Sequence, residues 1–291
     1  MHSELILQAL YSGLLVGGVY ALIALGLALT FGTMRVINLA HGELVLLAAY
    51  MAYVVESRLQ LNPVLAVPLA VLVACTGSAL VYLLVDRIRK NRELNSLMLT
   101  FAIGIVITNA VLLIFSGDVR STGSPFMQDA VQLGPLFSMK SELGAFVVSL
   151  VLVLALWQWL SRSWYGRAVR AVSSNRDAAK LMGINPAKTE LISFIVAGAL
   201  AACAGVAIYS SSVVQPPLGH ALTVKAFIIT VLAGVGSVPG VLAAALLLGI
   251  TEAMTVTLWS SALQELVGMT LFLVVLLVLP NGLFGTVKRR G

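Results

Sequence analysis

The chain has 291 residues, of which 59% are hydrophobic and only 10% charged, and its mean hydropathy is +1.01. Soluble domains carry about 25% charged residues, so this composition excludes an ordinary soluble globule, and its apolar content excludes intrinsic disorder. The formal net charge of +6 does not indicate nucleic-acid binding, because the basic residues lie between apolar segments.

Seven charge-free stretches of 19 to 34 residues determine the architecture. A helix needs about 20 apolar residues to cross the hydrocarbon core, and its backbone must be hydrogen-bonded within the segment. The stretches are continuously apolar, unlike the alternating strands of a membrane β-barrel. The sequence therefore predicts an all-α, polytopic transmembrane bundle in a single domain, 1–291. The expected segments are 5–31, 36–56, 61–85, 95–115, 143–161, 191–212, 222–236, 239–258 and 264–283.

The number of crossings is eight or nine, because two segments are ambiguous. The segment 222–236 has about 15 residues, roughly 22 Å of helix, against a hydrocarbon core near 30 Å. The first segment is rich in glycine, which allows a break or a partly re-entrant course. If it breaks, the total is eight and the N-terminus lies inside; otherwise the N-terminus lies outside.

The distribution of basic residues predicts the orientation, since Lys and Arg collect in short cytoplasmic loops. Basic clusters occur at 87–92, 162–188 and 288–290, and nine crossings place all three on one side. That side then carries 14 basic residues and the other side 3, with Lys225 near the outer start of a span. We therefore expect a cytoplasmic C-terminus and an extracytoplasmic loop at 116–142.

The first polar constellation is Asn38-Leu39-Ala40-His41-Gly42-Glu43, near the start of the second segment. A charge at the bilayer centre costs about 2.5–3.5 kcal/mol or more, so His41 and Glu43 should face a cavity or a neighbouring helix. Gly42 permits close backbone approach or a helix break. Two interpretations stay open: Asn38, His41, Gly42 and Glu43 line a translocation path, or they form a structural network that caps the helix.

The second constellation is the loop 162–190. Asp177 to Leu181 predicts a short helix with an acidic first turn, which suits the helix dipole. Gly183 is expected to end this helix, and Pro186 to prevent its continuation. An exposed short helix is suited to docking in a groove of a partner protein. The alternative is a solvated, positively charged connector.

The third constellation combines Lys225 and Glu252 with the glycine-rich turn from Gly234 through Gly236 to Gly240. A short segment followed by a Gly/Pro break is typical of discontinuous helices at transport sites, which makes Gly234, Gly236 and Glu252 further path candidates. Lys225 is expected to extend to the outer surface. Glu252 is expected to face protein or a water-filled path.

Six stretches, taken in order along the chain, resemble a known family. They are YALIALGL at 20–27, VINLAHGE at 36–43, RAVRAV at 167–172, AKLMGI at 179–184, VLAGVGSVPG at 231–240 and PNGLFG at 280–285. Together they resemble the LivH-like permease subunits of branched-chain amino acid ABC importers. Asp177-Ala178-Ala179 followed by Gly183 is also similar to the Glu-Ala-Ala…Gly coupling motif of importer permeases, with Asp in the place of Glu.

The resemblance implies a non-catalytic transport subunit in a bacterial inner (plasma) membrane, with no cofactor and no metal. It implies a second related permease, in a heterodimer, two cytoplasmic ATPase subunits and an extracytoplasmic substrate-binding protein. The ATPase-coupling residues would be Arg176, Asp177, Ala178, Ala179 and Gly183. The sequence agrees on one point: it contains no Gly-Lys pair and hence no G-x-x-x-x-G-K-[ST] phosphate loop.

Alternatives to this function remain at the level of sequence. The solute implied by the resemblance is a branched-chain amino acid, but urea or short amides stay possible. An ion-coupled secondary transporter would use His41, Glu43 and Glu252 as proton carriers and would work without partners. A membrane scaffold without transport is the third hypothesis.

Overall fold

Residues 2–234, 236–279 and 282–283 are described in the computed structural model of the chain. Over these residues nine long helices occupy the nine predicted segments. They are α1 His2–Met34, α2 His41–Leu59, α3 Val67–Asp86, α4 Arg92–Phe115, α6 Lys140–Arg162, α9 Pro186–Ser211, α10 Leu218–Ala233, α11 Val238–Leu258 and α12 Gln264–Val278. The prediction of a polytopic helical bundle is confirmed.

The connecting segments contain short elements. Helix α5 is Pro125–Gln128, α7 is Trp164–Ser174 and α8 is Arg176–Leu181, and 3-10 turns occupy Pro63–Ala66 and Ser261–Leu263. Strands β1 Ala130–Leu133 and β2 Leu136–Met139 form an antiparallel hairpin, with Ala130 opposite Met139 and Gly134 at a positive φ in the turn. The predicted loop 116–142 therefore contains a small hairpin beside its turns, within an otherwise helical fold.

Within the part of the chain that the structure describes, seven helical segments are long and apolar enough to cross a membrane. Among the described residues, α10 is apolar but has 16 residues, and α2 has 19 residues yet carries charged groups at both ends. Helix α1 runs without a break over 33 residues, so the break that its glycines would allow does not occur. The count of eight or nine crossings stays a prediction, as does the orientation that rests on Lys288, Arg289 and Arg290, which lie outside the described residues.

The glycines of α1 serve close packing instead of a break. A Cβ on Gly13 would lie 2.6 Å from the Cα of Ile250, and a Cβ on Gly249 would lie 2.7 Å from the Cα of Gly17. Helices in lipid gain little from burying apolar surface, so small residues that let backbones approach are a main source of association. The glycine pattern therefore joins α1 to α11 at the core of the bundle.

Helix α9 is the second helix on which its neighbours pack closely. Its Gly198 lies against Ala74 of α3 and its Gly205 against Ala48 of α2, and neither position has room for a side chain. Tyr82 of α3 donates a hydrogen bond to the Ala187 carbonyl at 2.9 Å, which aligns the end of α3 with the start of α9. Helices α1 and α9 also pack on each other, so the core contains the two longest helices of the described chain.

Helix α2 begins later than predicted. The segment 36–40 is not helical, and the helix starts at His41, whose ring reaches the Ile23 carbonyl about two thirds of the way along α1. Arg35 turns the chain with φ of 54°, and Asn38 closes the break by accepting hydrogen bonds from the amides of Ala40 and His41. The chain thus returns from the end of α1 to the level of Ile23 before α2 forms.

The outer helices present apolar side chains to their surroundings. Large hydrophobic residues of α4, α6 and α12 are exposed, and of the α12 residues only Gly268 is buried. In water such a surface would be a large apolar patch, whereas in lipid it is the expected exterior.

We expect Gly249→Leu to destabilise the bundle, because the added side chain would enter the backbone of α1. Overpacking of this kind costs about 1–3 kcal/mol or more. The measurement is the thermal unfolding midpoint of the purified chain in detergent. Gly144→Leu in α6 is the matched control, since a Cβ there meets nothing within 4 Å. Equal midpoints for the two variants would contradict the packing assigned to α1 and α11.

Candidate functional site

The non-helical segment 36–40 and the first turn of α2, residues 41–43, form what we term the central break. The Leu39 amide donates to the Thr100 hydroxyl at 3.1 Å, and the Gly42 amide donates to the Thr223 hydroxyl at 2.9 Å. A side chain at Gly42 would collide with the Gly219 carbonyl and with Thr223. Gly42 therefore permits the close approach predicted from the sequence, here between the starts of α2 and α10.

His41 is fully buried between α2 and α1. Its Nε2 lies 3.0 Å from the Ile23 carbonyl oxygen, and its ring covers Gly26, where a Cβ would lie 2.6 Å from Cε1. Because a carbonyl only accepts hydrogen bonds, Nε2 is assigned as the donor. Nδ1 has no hydrogen-bond partner among the described residues. Nε2 therefore holds α2 against α1, which is the structural interpretation that the sequence left open. Nδ1 is available to bind another group.

Glu43 is 3% exposed and faces the start of α10 and the middle of α4. Its carboxyl group lies directly against Gly219 and near the Thr108 side chain, and its Cγ is 3.5 Å from a Cβ built on Gly104. Glycines on two neighbouring helices therefore make the space for this acid. Oε2 of Glu43 and Nδ2 of Asn38 have no hydrogen-bond partner within the described chain. Buried polar atoms are rarely left unpaired, so these atoms call for a further ligand, such as water or a solute.

Lys225 and Glu252 form an ion pair inside the bundle. The distance from Lys225 Nζ to Glu252 Oε2 is 2.6 Å, and the side chains are 15% and 3% exposed. The Tyr20 hydroxyl donates a hydrogen bond to Glu252 Oε2 at 3.0 Å and accepts one from Lys225 Nζ at 2.8 Å. Gln264 Nε2 also donates a hydrogen bond to Glu252 Oε2, at 2.8 Å. The expectation that Lys225 extends to the outer surface is wrong, because Glu252 needs its charge in a medium without water.

This ion-pair cluster connects four helices. Its members come from α1, α10, α11 and α12, and Lys225 also lies 4.7 Å from the centre of the Tyr20 ring. Thr223 at the central break and Lys225 are two residues apart on α10, yet they contact different neighbours. The structure therefore separates Glu252 from Glu43.

Gly234 and Gly236 lie at a third place, the turn that joins α10 to α11. Both have positive φ angles, of 82° and 91°, which favour glycine. Gly234 ends α10, and Ser237 begins α11 by accepting a hydrogen bond from the Gly240 amide. Gly282 packs against Gly234, and the Leu283 amide donates to the Leu232 carbonyl. This turn lies at the end of α10 opposite Gly219, away from the central break. Of the family-like motifs, residues 235, 280, 281, 284 and 285 lie outside the described residues.

The loop 162–190 folds into two helices and a turn. Asn175 begins α8 by accepting hydrogen bonds from the amides of Asp177 and Ala178. Gly183, at φ of 80°, follows the end of α8 as predicted. Pro186 was expected to prevent continuation of α8, and in the structure it is also the first residue of α9. The amphipathic helix α7 anchors the loop, because its Tyr165 hydroxyl donates a hydrogen bond to the Thr189 carbonyl. Burial raises the pKa of Tyr165 to about 12.

Leu181 and Met182, which the sequence analysis did not single out, form an apolar tip at the end of α8. Their side chains are 88% and 82% exposed in a loop that is otherwise basic. Arg176, Asp177 and Ala178 are also exposed, while Ala179 is buried against the bundle. Exposed large apolar residues beside charged ones are typical of a contact surface for another protein. The signal was present in the sequence as two apolar residues directly before Gly183.

A four-residue ion network fixes α8 to the bundle, and sequence reasoning missed it. Glu190 is 1% exposed and lies near the start of α9. Its carboxylate accepts hydrogen bonds from Arg176 Nε at 2.8 Å and from Arg176 Nη2 at 3.1 Å. Arg92 lies 3.8 Å from Glu190 and 3.2 Å from Asp86. The hydrogen bond to Glu190 raises the pKa of Arg176 further above its usual value. Helices α3, α4, α8 and α9 therefore meet at one buried carboxylate.

The described residues contain no group of three His, Cys, Asp or Glu side chains arranged to hold a metal ion. The polar sites are instead acids that basic, hydroxyl or amide groups of neighbouring helices contact, with Oε2 of Glu43 left without a hydrogen-bond partner among the described residues. Such sites are suited to binding, to ion pairing and to the transmission of movement.

Comparison with known proteins connects this architecture to a family. The family described as "Branched-chain amino acid transport system / permease component" matches residues 9–279. The high-affinity branched-chain amino acid transport system permease protein BraD of Pseudomonas aeruginosa is 32% identical over 96% of this chain and 95% of its own length. The permease protein LivH of Escherichia coli is 30% identical over the same shares, and a probable LivH of Methanocaldococcus jannaschii is 30% identical over 95% of this chain and 90% of its own. No solved structure matches the chain.

We expect Lys225→Met to lower the stability of the chain strongly, because it leaves the Glu252 carboxylate buried without a cation. Removing one partner of a buried ion pair costs about 3–5 kcal/mol. The double variant Lys225→Met, Glu252→Gln should recover most of that loss, since no charge then stays unpaired. Thermal unfolding midpoints in detergent provide the measurement. A double variant no more stable than Lys225→Met would contradict the pairing.

Proposed function

The chain belongs to the family of branched-chain amino acid transport permease components, and on that premise we propose that it is the membrane-spanning permease subunit of an ATP-driven importer of branched-chain amino acids. The observation that carries this proposal is the match to permease relatives over nearly the whole chain, together with a helical bundle that holds polar sites in its interior. The proposed location is the inner (plasma) membrane of a bacterium, with a cytoplasmic C-terminus.

The energy source in this proposal lies on other subunits. The sequence has no phosphate-binding loop of the G-x-x-x-x-G-K-[ST] type, so ATP is to be hydrolysed by two cytoplasmic ATPase subunits. A second, related permease completes the translocation path as a heterodimer, and an extracytoplasmic binding protein delivers the solute. The chain itself is not an enzyme in this assignment.

The proposed contact with the ATPase is the tip of the loop 162–190. Arg176, Asp177, Ala178, Ala179 and Gly183 shape it, and the Leu181 and Met182 side chains supply the apolar surface that would enter a groove. A movement of α8 would reach the spans through Arg176 and the buried Glu190. This arrangement supports docking over a solvated connector, because a connector needs neither an exposed apolar tip nor a buried ion network.

The proposed translocation path passes the central break. Asn38, His41, Gly42 and Glu43 lie where α2 begins beside Ile23 of α1, and the starts of α2 and α10 meet there. Discontinuous helices with free polar atoms are the usual form of solute sites in transporters, because helix ends offer unpaired backbone groups. The free atoms of Asn38, His41 and Glu43 support this role. Gly234 and Gly236 would serve as the flexible turn at the cytoplasmic end of the path.

Glu252 takes a different place in this proposal. Its carboxylate is already paired with Lys225, Tyr20 and Gln264. We assign it to holding α1, α10, α11 and α12 together during the transport cycle, next to the path. Direct contact with solute is assigned to the central break instead.

The proposed function predicts ATP-dependent leucine uptake. Proteoliposomes that contain the chain with its second permease and ATPase pair should accumulate leucine, isoleucine and valine when ATP and the binding protein are supplied. Radiolabelled leucine uptake is the measurement, with urea and acetamide as comparison solutes. Leucine uptake by the chain alone, driven by a pH gradient and indifferent to ATP, would overturn the proposal in favour of a secondary transporter.

The coupling assignment predicts that Asp177→Lys and Gly183→Val each uncouple transport. A β-branched residue at a positive φ costs about 1–3 kcal/mol of strain, enough to lower uptake by about tenfold if α8 must keep its shape. Membrane insertion and the basal ATPase rate should stay near wild type. Gly134→Val is the matched control, since Gly134 has φ of 65° but lies in the hairpin of the opposite end. Wild-type uptake per ATP in both coupling variants would refute the docking role of α8.

A further inference from the structure

A cavity of about 590 Å³ lies at the end of the bundle that carries the basic loop 162–190. It is enclosed by the last third of α1, the last turns of α6, the amphipathic helix α7 and the start of α11. It shares no residue with the central break, with the ion-pair cluster around Glu252 or with the tip of α8, and it borders the turn between α10 and α11 at Gly236. The proposed function gives this turn a role at the end of the path but assigns no ligand to the cavity beside it.

The deep part of the cavity is an apolar cleft between two helices. Leu25, Ala28 and Leu29 line it from α1, at the spacing of a single helix face. The opposite wall is formed by residues of α6, namely Leu156, Trp157 and Leu160. Trp157 is 47% exposed, so this wall of the cleft reaches the outer surface of the bundle. Tryptophan at such a position is typical of the membrane interface.

The mouth of the cavity is positively charged. Arg35 and Arg170 line it and are exposed. Each gives one guanidinium hydrogen bond to a backbone oxygen: Arg35 to Ser173 at 3.3 Å, and Arg170 to Leu160 at 2.9 Å. These bonds aim the two side chains along the mouth and leave most of their five donors free. No acidic residue occurs among the described residues that line the cavity.

The backbone at Arg35 is fixed in an unusual conformation. Its φ of 54° lies in the left-handed region, which a residue with a side chain adopts at a cost. The Arg35 amide donates to the Phe31 carbonyl at 2.8 Å and closes the end of α1. The turn thus places the Arg35 guanidinium beside α7 instead of letting it continue along α1.

These features match one chemical class. A free amino acid would bring an ammonium group for which the described lining offers no carboxylate. An acidic phospholipid brings a phosphate for the arginines and an acyl chain for the cleft, and basic pockets between spans on the cytoplasmic side bind such headgroups. We propose that this cavity binds an acidic phospholipid of the cytoplasmic leaflet, with its phosphate between Arg35 and Arg170 and an acyl chain between α1 and α6.

The test measures lipid binding to the full-length purified chain by native mass spectrometry. Phosphatidylglycerol and phosphatidylcholine with identical acyl chains are titrated in parallel, and inorganic phosphate is added as a competitor in a separate arm. One variant, Arg35→Gln with Arg170→Gln, removes the charge at the mouth. A second variant, Gly32→Phe, fills the cavity without changing charge, because Gly32 lines it and a Cβ there meets nothing within 4 Å.

Two controls match these variants. Arg87→Gln with Arg89→Gln removes two exposed arginines from another loop of the same end, and Gly144→Phe adds the same ring to an open glycine of α6 far from the cavity. Each arginine near a membrane surface contributes about fivefold in affinity for an acidic lipid, so the double charge variant should lose about 25-fold. Gly32→Phe should lose the preference for phosphatidylglycerol, and both controls should keep it.

Three outcomes would overturn the site. The first is a wild-type chain that binds the two lipids equally. The second is a loss in Arg87→Gln, Arg89→Gln as large as in Arg35→Gln, Arg170→Gln, which would indicate a diffuse charge effect. The third is full displacement of the lipid by inorganic phosphate, which would indicate a site for a free anion. None of these outcomes bears on leucine uptake, so the lipid site and the proposed function fail independently.

Discussion

The absence of water around the spans is the constraint on which the structure depends. A charged side chain in hydrocarbon must find its partner within the protein. Lys225 and Glu252 satisfy this rule as a pair, with the Tyr20 hydroxyl and the Gln264 amide completing the shell of the carboxylate. Glu190 satisfies it at the end of the bundle through Arg176 and Arg92, the first residues of α8 and α4. Each acid therefore fixes the relative positions of several helices.

The same constraint explains how the helices associate. Lipid tails offer no hydrophobic gain on helix pairing, so contact must come from close backbone approach. Gly13, Gly17 and Gly249 provide that approach between α1 and α11, and Gly198 and Gly205 provide it around α9. At the central break, glycines also let polar groups come close together, because Gly42 and Gly219 bring the starts of α2 and α10 together around Glu43.

Much of the fold was predictable from the sequence, because charge-free length determines where a helix can cross lipid. The nine apolar segments became nine helices, and the short helix before Gly183 formed as expected. The late start of α2 was not predictable, since 36–40 is as apolar as a helix and its break depends on Thr100 and Thr223 from distant helices.

The candidate site was only partly predictable, for a related reason. The local sequence pattern identified His41, Glu43 and Glu252 as residues whose burial in a membrane is energetically unfavourable, but it did not identify their partners. The direction of Lys225 depends on Tyr20, more than 200 positions away in the chain, and the network at Glu190 draws on four separate elements. Whether Glu43 contacts the solute stays a prediction.

The bare tip of α8 has a consequence for the life of the protein before assembly. Leu181 and Met182 stand almost fully out of the bundle, at the aqueous end of a chain that is otherwise adapted to lipid. In the proposed importer these side chains stay exposed to water until an ATPase subunit covers them, and unassembled copies of a protein are subject to removal by chaperones and proteases. On the proposed docking, the amount of this chain in a cell would therefore follow the amount of its ATPase partner.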